Sequence, residues 1–505
     1  MCYNAQFKTL LFFLGKGTVI KGLENYSELQ KIQLSSIVNH NQFFANISVL
    51  DYRNYKLPQD INIEKKVFLF SRFKPNNIMH LFHDDLFPLF LTFEYLCFGD
   101  SDCIDSFTLV FHDSHSPGPY SEVYKLFTKQ TPIFLNVQQT NENKILCFKE
   151  MVTGLVQDGI FFQYGFNRPH GPVHNPMLNY YDIKRFSNFI KKKVIVGDAT
   201  INKADIVIIS RKKTRRILNI GRVVKIATDT YKTIFAVNDP KVVVFDLGSS
   251  TVPKVLELIS NCKLLIGIHG AEMIFSIFSK SELIVVELFP FGIQPEYVSF
   301  LKPISELQNS QLIYFSWKNK NKNNSVAHPD AHPLFGGINH LNENAQRQIK
   351  STQVVPPVEC CNNPIYMYHM YQDTLVDEEF QEFLQSSLHQ FNTAKRKSVP
   401  GVIEQWFYPH LPENVTCEFH SNRQLLISWM HPFNINDTKE LEYRVFIQDE
   451  KKQYVKNILT TYLNLTLDIP GQVTEICPTF HLWISVVYLT NMSESTDSIF
   501  RCVCT

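Results

Sequence analysis

Two stretches of the sequence combine residue types that can hold and move charge. In Ser210-Arg-Lys-Lys-Thr-Arg-Arg216, five cations fill six consecutive positions directly after an apolar run. Arginine grips phosphate oxygens through paired N–H donors, so Arg211 with Arg215 or Arg216 could neutralise a diphosphate. A basic run is also what a solvated face looks like; its position at a strand's end favours the site. Farther on, Leu264-Leu-Ile-Gly-Ile-His-Gly-Ala-Glu-Met-Ile-Phe275 reads as a buried strand, a turn through His269, Gly270 and Ala271, and an apolar helix. Backbone N–H groups and a positive helix end at such a turn suit an anion. Glu272 adds a negative charge at the same place. The next strand, Leu283–Phe289, carries one buried-looking carboxylate, Glu287. Together these residues suggest a nucleotide-sugar site. The plainer alternative is an ordinary α/β unit with a glycine turn.

The other constellation is His80-Leu-Phe-His-Asp-Asp-Leu-Phe-Pro-Leu-Phe90. Leu81, Phe82, Leu86, Phe87, Leu89 and Phe90 mark a buried helix. Burying His83, Asp84 and Asp85 there is costly unless they are paired or used. Either they satisfy one another and a helix cap, or one is a general base oriented by its neighbour. No Asp-x-Asp follows a strand near Arg211 or His269, and no Cys/His group has zinc-ligand spacing, so arginines and a helix end could carry the phosphate charge without a metal. His328-Pro, His332-Pro and Phe335-Gly-Gly-Ile338 fit an ordinary loop. Cys360-Cys361 has no base beside it and fits a structural role.

The elements that must position these residues fall into three textures. Up to about residue 170, short aromatic-rich strands alternate with polar turns, among them Val67–Phe70, Phe107–Phe111 and Ile133–Leu135, and Thr9–Leu14 reads as a further strand. From 180 to 391, strands at 204–210, 241–246, 263–266 and 284–288 alternate with helical stretches. That alternation predicts a parallel sheet covered on both faces, which binds ligands beyond the strands' carboxyl ends. Helical periodicity predicts a last helix over 376–391. The polar, basic Asn392–Gly401 reads as a linker. Beyond residue 409 the period changes to two: 424–429, 442–447 and 480–488 are spaced for a seven-stranded sandwich of fibronectin type III kind.

The 505 residues, 44% hydrophobic with net charge +1, describe a globular chain and argue against nucleic-acid binding driven by overall charge. No run of about 18 apolar residues is present, as a spanning helix would need. Seven Asn-x-Ser/Thr sequons stand at Asn25, Asn46, Asn323, Asn414, Asn436, Asn464 and Asn491. Four on the terminal domain point to a lumenal or secreted surface. The 11 cysteines are too few and scattered for a disulfide scaffold. One bridge among Cys417, Cys477, Cys502 and Cys504 would tie the last domain's first strand to its last, and a partner for Cys2 is expected upstream of Met1.

The chain resembles glycosyltransferase family 61 through Asn76–Phe90, Ile209-Ser-Arg211 with Arg215–Asn219, His269-Gly-Ala271 and Val286-Glu-Leu-Phe-Pro290. Several further matches extend the resemblance over nearly the whole chain: His328-Pro, Gly336-Gly-Ile338, Cys360-Cys361 and Tyr371–Thr374. It implies a GT-B enzyme with two Rossmann-like lobes, at 1–175 and 176–391, then a linker at 392–408 and a fibronectin domain at 409–505. The implied reaction moves GlcNAc from UDP-GlcNAc, with inversion, to O4 of mannose on Ser or Thr of a dystroglycan-like glycoprotein. Arg211, Arg215 and the turn His269–Ala271 would hold the leaving UDP. Glu287 and Phe289 would contact ribose or uracil, and His83, Asp84 or Asp85 would deprotonate the mannose hydroxyl. The resemblance also implies the endoplasmic reticulum lumen and a membrane anchor upstream, and allows a homodimer; no cofactor is required on this reading, and dependence on a divalent metal stays open. Another acceptor, such as Ser/Thr of EGF-like domains, is the alternative, as is an inactive lumenal glycan-binding protein. The residues depart from the family pattern where Leu334-Phe335 replaces an acidic residue before Gly-Gly.

Overall fold

The computed structural model describes residues 2–4, 9–14, 31–37, 44–51, 62–97, 100–135, 145–157, 159–164, 170–173, 179–194, 204–307, 309–356, 363–397, 412–420, 423–432, 441–449, 454–470, 479–488, 493–494 and 498–502. The chain divides into two units, Met1–Ile160 with Asn188–Val194, and Phe161–Ser187 with Ile195–Thr505.

The first unit is built on eight strands: β1 (Cys2–Asn4), β2 (Thr9–Leu14), β3 (Lys31–Gln33), β4 (Phe44–Asp51), β5 (Asn62–Phe70), β6 (Phe107–Phe111), β7 (Ile133–Phe134) and β8 (Ile145–Thr153). Their order in the sheet is β3-β4-β2-β1-β8-β5-β6-β7. The half from β8 to β7 is parallel, whereas β1 runs antiparallel to both β2 and β8. A Rossmann-like lobe was expected here; the sheet is mixed. The segment between Asn4 and Thr9 is far too short for the dozen or so residues that a parallel crossover requires. Central β5 is buried on both faces. Val67 and Leu69 join Leu10, Ala45 and Val110 on one side. Phe68 and Phe70 turn to the other, where Phe68 meets Phe93 at 5.1 Å and Phe70 meets Tyr124 at 6.4 Å. Cys2 is bonded to Cys147, its cross-strand neighbour in β8, which corrects the expectation of an upstream partner. Cys97 is bonded to Cys103.

The second unit begins with a small antiparallel pair, β9 (Phe162–Gln163) and β10 (Gly171–Pro172). A five-stranded sheet follows: β11 (Ile206–Ile209), β12 (Val242–Phe245), β13 (Leu264–Ile268), β14 (Leu283–Phe289) and β15 (Leu312–Lys318). Its order is β12-β11-β13-β14-β15, and every pairing is parallel. Strands β11, β13 and β14 are buried throughout, and strands covered on both faces need continuous apolar runs such as these. Ile206, Ile208, Ile266 and Val286 pack against Ile226 and Tyr231 of helix Ile220–Phe235 and against Phe380, Leu384 and Leu388 of helix Glu378–Lys397. That last helix continues through 392–397, residues expected in the linker, and Asn392 donates to the Ile234 carbonyl at 2.8 Å. The rest of the expected linker lies outside the described residues. No helix among the described residues is long and apolar enough to cross a membrane.

After a short pair, β16 (Ser325–Val326) and β17 (Asp373–Thr374), the chain ends in two antiparallel sheets. One contains β18 (Glu413–Phe419), β19 (Gln424–Met430) and β22 (Asn464–Asp468). The other contains β20 (Leu441–Asp449), β21 (Val455–Thr460), β23 (Phe480–Tyr488), β24 (Ser493–Glu494) and β25 (Ser498–Cys502). Alternate residues Leu425, Ile427 and Trp429 share a core with Tyr443, Val445 and Ile484. The opposite face of β20 and β23 is also covered: Phe446 and Trp483 join Phe289, Ile293, Tyr297 and Met367. Cys417 is bonded to Cys502, tying β18 to β25 across 85 residues of sequence. Closing so long a loop removes unfolded-chain entropy, worth about 2–4 kcal/mol. The double variant Cys417→Ser/Cys502→Ser is therefore expected to unfold at lower denaturant concentration by about that free energy. An unchanged urea midpoint for the sandwich transition would contradict this.

Candidate active site

Strand β11 lies in the sheet's interior; the chain runs from it outward to β12 on one side and then crosses back to β13 on its other side. This is a topological switch point, where open parallel sheets leave a crevice beyond the strand ends. Arg211 follows β11 by two residues and His269 follows β13 by one, so both side chains emerge at that place. Arg211 Nε donates to the Thr214 carbonyl at 3.2 Å, and Nη1 donates to the Glu272 carboxylate. Arg215 Nη1 donates to the His269 carbonyl at 3.1 Å, and the guanidinium lies 4.9 Å from the Tyr371 ring. Burial and the neighbouring Arg215 depress the Arg211 pKa, and Glu272 opposes both. Two guanidiniums thus face one carboxylate, leaving positive charge for an anion. A Cβ on Gly270 would meet Arg211 Nη1 at 2.5 Å, so a side chain here would push the guanidinium out of its place.

Arg215 has φ +55°, and its buried Nε has no hydrogen-bond partner among the described residues. Left-handed backbone on a non-glycine residue costs roughly 1 kcal/mol or more, and such strain gathers at functional sites. Arg216 faces elsewhere: its backbone N–H, Nε and Nη2 all bind the buried Asp373, at 2.7, 2.8 and 2.6 Å. Of the two arginines left open by the sequence, the structure brings Arg215 to Arg211. Glu272, whose charge had no assigned partner, is the counter-ion of Arg211. The apolar segment after Gly270 is a 3-10 helix, Ala271–Phe278, where an ordinary helix was expected.

His269 is held from below. Its Nδ1 is 2.8 Å from Glu287 Oε1, and its ring stacks on Phe289 at 5.0 Å. The other Glu287 oxygen accepts from Ser299 Oγ at 3.0 Å and from the Tyr314 hydroxyl at 2.7 Å. Glu287 and Phe289 are both 0% exposed. The contact with ribose or uracil expected from the sequence is corrected, because neither side chain presents surface; they fix the ring of His269.

The acidic segment lies in the first unit. Asn77 caps its start, accepting from the N–H groups of Met79 and His80 at 3.0 and 3.5 Å. Leu81–Leu86 is π-helical, closed by the Phe87 N–H to the Phe82 carbonyl. Such inserts recur at functional sites. Asp84 is wholly buried between two imidazoles, 2.7 Å from His80 Nδ1 and 2.5 Å from His83 Nδ1. Burial alone would raise its pKa, but His83 and His80 hold it below the ordinary value. Asp85 behaves oppositely: burial raises its pKa well above the usual range. Its oxygens accept from the Tyr124 hydroxyl at 2.6 Å and the Phe73 N–H at 3.2 Å. That fits a structural tie better than a base. His83, Asp84 and Asp85 have no exposed side-chain surface to speak of; His80, missed in the sequence, has 11%. The signal was available, because His80 stands four residues before Asp84 on one helical face.

Among the described residues no group of three or more His, Cys, Asp or Glu could hold a metal ion. Of the sequon asparagines, Asn46, Asn323, Asn414 and Asn464 are exposed, while Asn25, Asn436 and Asn491, like Cys360-Cys361, lie outside the described residues.

The family profile Glycosyltransferase 61 matches residues 78–286, a span containing His80–Asp85, Arg211, Arg215 and His269–Glu272. The chain is 30% identical over 475 residues to protein O-linked-mannose beta-1,4-N-acetylglucosaminyltransferase 2 of Canis lupus familiaris, covering 91% of this chain and 79% of that protein. Proteins of the same name are 28% identical in Takifugu rubripes, over 99% of this chain and 86% of theirs, and 29% identical in Mus musculus, over 99% and 85%.

Proposed function

The chain belongs to glycosyltransferase family 61 and is a hexosyltransferase, and on that premise we propose that it moves GlcNAc from UDP-GlcNAc to O4 of mannose on Ser or Thr, with inversion. The observation that carries the reading is the Arg211–Arg215 pair around Gly270 at the sheet's switch point. In a single displacement the mannose O4 attacks C1 of the donor sugar and loses its proton to a base. The bond from C1 to the phosphate oxygen breaks, and UDP departs carrying the new negative charge. Arg211, Arg215 and the turn His269–Ala271 stabilise that charge in place, as preorganised donors do most effectively. The guanidiniums take the part a divalent cation would otherwise play, so the reaction needs no cofactor. His80, oriented by Asp84, is the base this reading favours. Burial lowers its pKa despite Asp84, which keeps the ring neutral and ready to accept a proton.

In the same reading the two α/β units are the lobes of a GT-B enzyme and the terminal sandwich is a fibronectin type III domain. The acceptor is a dystroglycan-type glycoprotein and the enzyme works membrane-anchored, facing the endoplasmic reticulum lumen. The test is incubation with UDP-GlcNAc and an α-mannosyl threonine peptide, with and without EDTA, followed by linkage determination. The expected product carries a β-1,4 linkage, at equal rate in both conditions. Transfer only to EGF-like domains would move the acceptor assignment, and failure to bind UDP at all would overturn the enzyme reading.

A further inference from the structure

We infer that the turn Pro333–Phe335 is the base-binding end of the donor site, with the Phe335 ring stacking on the nucleobase. This rests on the donor-site reading above. With Glu287 and Phe289 wholly buried, the base of a nucleoside diphosphate held by Arg211 and Arg215 needs another apolar wall. Two ring contacts lead to one. The Arg215 guanidinium lies 4.9 Å from the Tyr371 ring, and Tyr371 meets Phe335 edge to face at 5.8 Å. Phe335 and Leu334 are 52% and 51% exposed.

The turn is rigid. Phe335 N–H donates to the His332 carbonyl at 2.7 Å, and Ile338 N–H to the Pro329 carbonyl at 2.9 Å. His332 Nδ1 accepts from the Leu334 N–H at 3.2 Å. Gly336 has φ +91°, and a Cβ there would stand 2.9 Å from the Met367 carbonyl oxygen; on Gly337 it would overlap the Ala331 carbonyl. Gly336 therefore lets the turn lie directly on helix Pro364–Met370, Gly337 lets it close on its own Ala331, and Phe335 is held out to solvent on that base. A flat ring presented in this way stacks on any nucleobase, whose π-face needs no particular hydrogen-bond pattern. The unpartnered Nε of Arg215 on the same path supplies a donor that a phosphate or ribose oxygen would occupy.

The experiment compares UDP and inorganic pyrophosphate by calorimetry on the wild type, Phe335→Ala and Phe335→Trp. Loss of the stacking ring should weaken UDP about tenfold in Phe335→Ala. Pyrophosphate should stay within about twofold of wild type, and Phe335→Trp should keep UDP affinity. Unchanged UDP affinity in Phe335→Ala overturns the inference. So does equal loss of UDP and pyrophosphate, which would show a disturbed fold. A wild-type protein that binds neither ligand overturns the donor-site reading itself.

Discussion

Asp84→Asn is expected to lower kcat about a thousandfold while UDP affinity stays within about twofold. The carboxylate accepts from His80 and His83 at 2.7 and 2.5 Å and touches no solvent. Asparagine preserves the shape but offers one acceptor oxygen and an N–H₂ group where a second acceptor stood. One imidazole must then turn over or change tautomer, which removes the lone pair a general base needs. His80→Ala should lose a similar factor, while Asp85→Asn should cost stability and spare turnover. Parallel loss of UDP binding in Asp84→Asn would assign the segment to folding.

The pH profile separates a positioning role from a structural one. Burial lowers the His80 pKa and Asp84 raises it, with burial the larger effect. The active, neutral ring therefore persists as pH falls below the ordinary histidine value, and kcat/KM should decline only below it. Removing the Asp84 charge takes away the opposing influence. The residual activity of Asp84→Asn should then have its acid limb at lower pH than the wild type. An unmoved limb would mean that His80 is not the group whose proton is being read.

How far sequence leads here depends on whether a residue's partner is local. β13 and β14 were visible because strands buried on both faces must be apolar throughout, and helix Glu378–Lys397 because its core side repeats at helical spacing. Glu287 was visibly buried, yet its partners Ser299 and Tyr314 arrive 12 and 27 residues later, so nothing local said whether it met a ligand or a histidine. The Cys2–Cys147 bond spans 145 residues and becomes legible only once β1 is known to lie beside β8. Arg215 and Arg216 differ by a single left-handed backbone angle, which composition does not encode. His80 is the contrary case, since spacing alone would have paired it with Asp84.

That one backbone angle makes the two adjacent arginines a test of the donor site. Arg215→Ala is expected to weaken UDP binding about a hundredfold, whereas Arg216→Ala should leave it within about twofold. A charge-assisted hydrogen bond is worth about 1.5–3 kcal/mol, and about 2.7 kcal/mol is a hundredfold in affinity. The Arg215 guanidinium is fixed by the His269 carbonyl and the Tyr371 ring, so its ordering has no further entropic cost when the diphosphate binds. Arg216 instead neutralises Asp373, which is 0% exposed; its removal leaves that buried carboxylate with His328 Nε2, 3.1 Å away, as its remaining ion-pair partner among the described residues, and should appear as a lower melting temperature. The two variants therefore separate binding from stability at neighbouring positions. If Arg216→Ala lost UDP affinity and Arg215→Ala kept it, the diphosphate would not sit at the Gly270 turn.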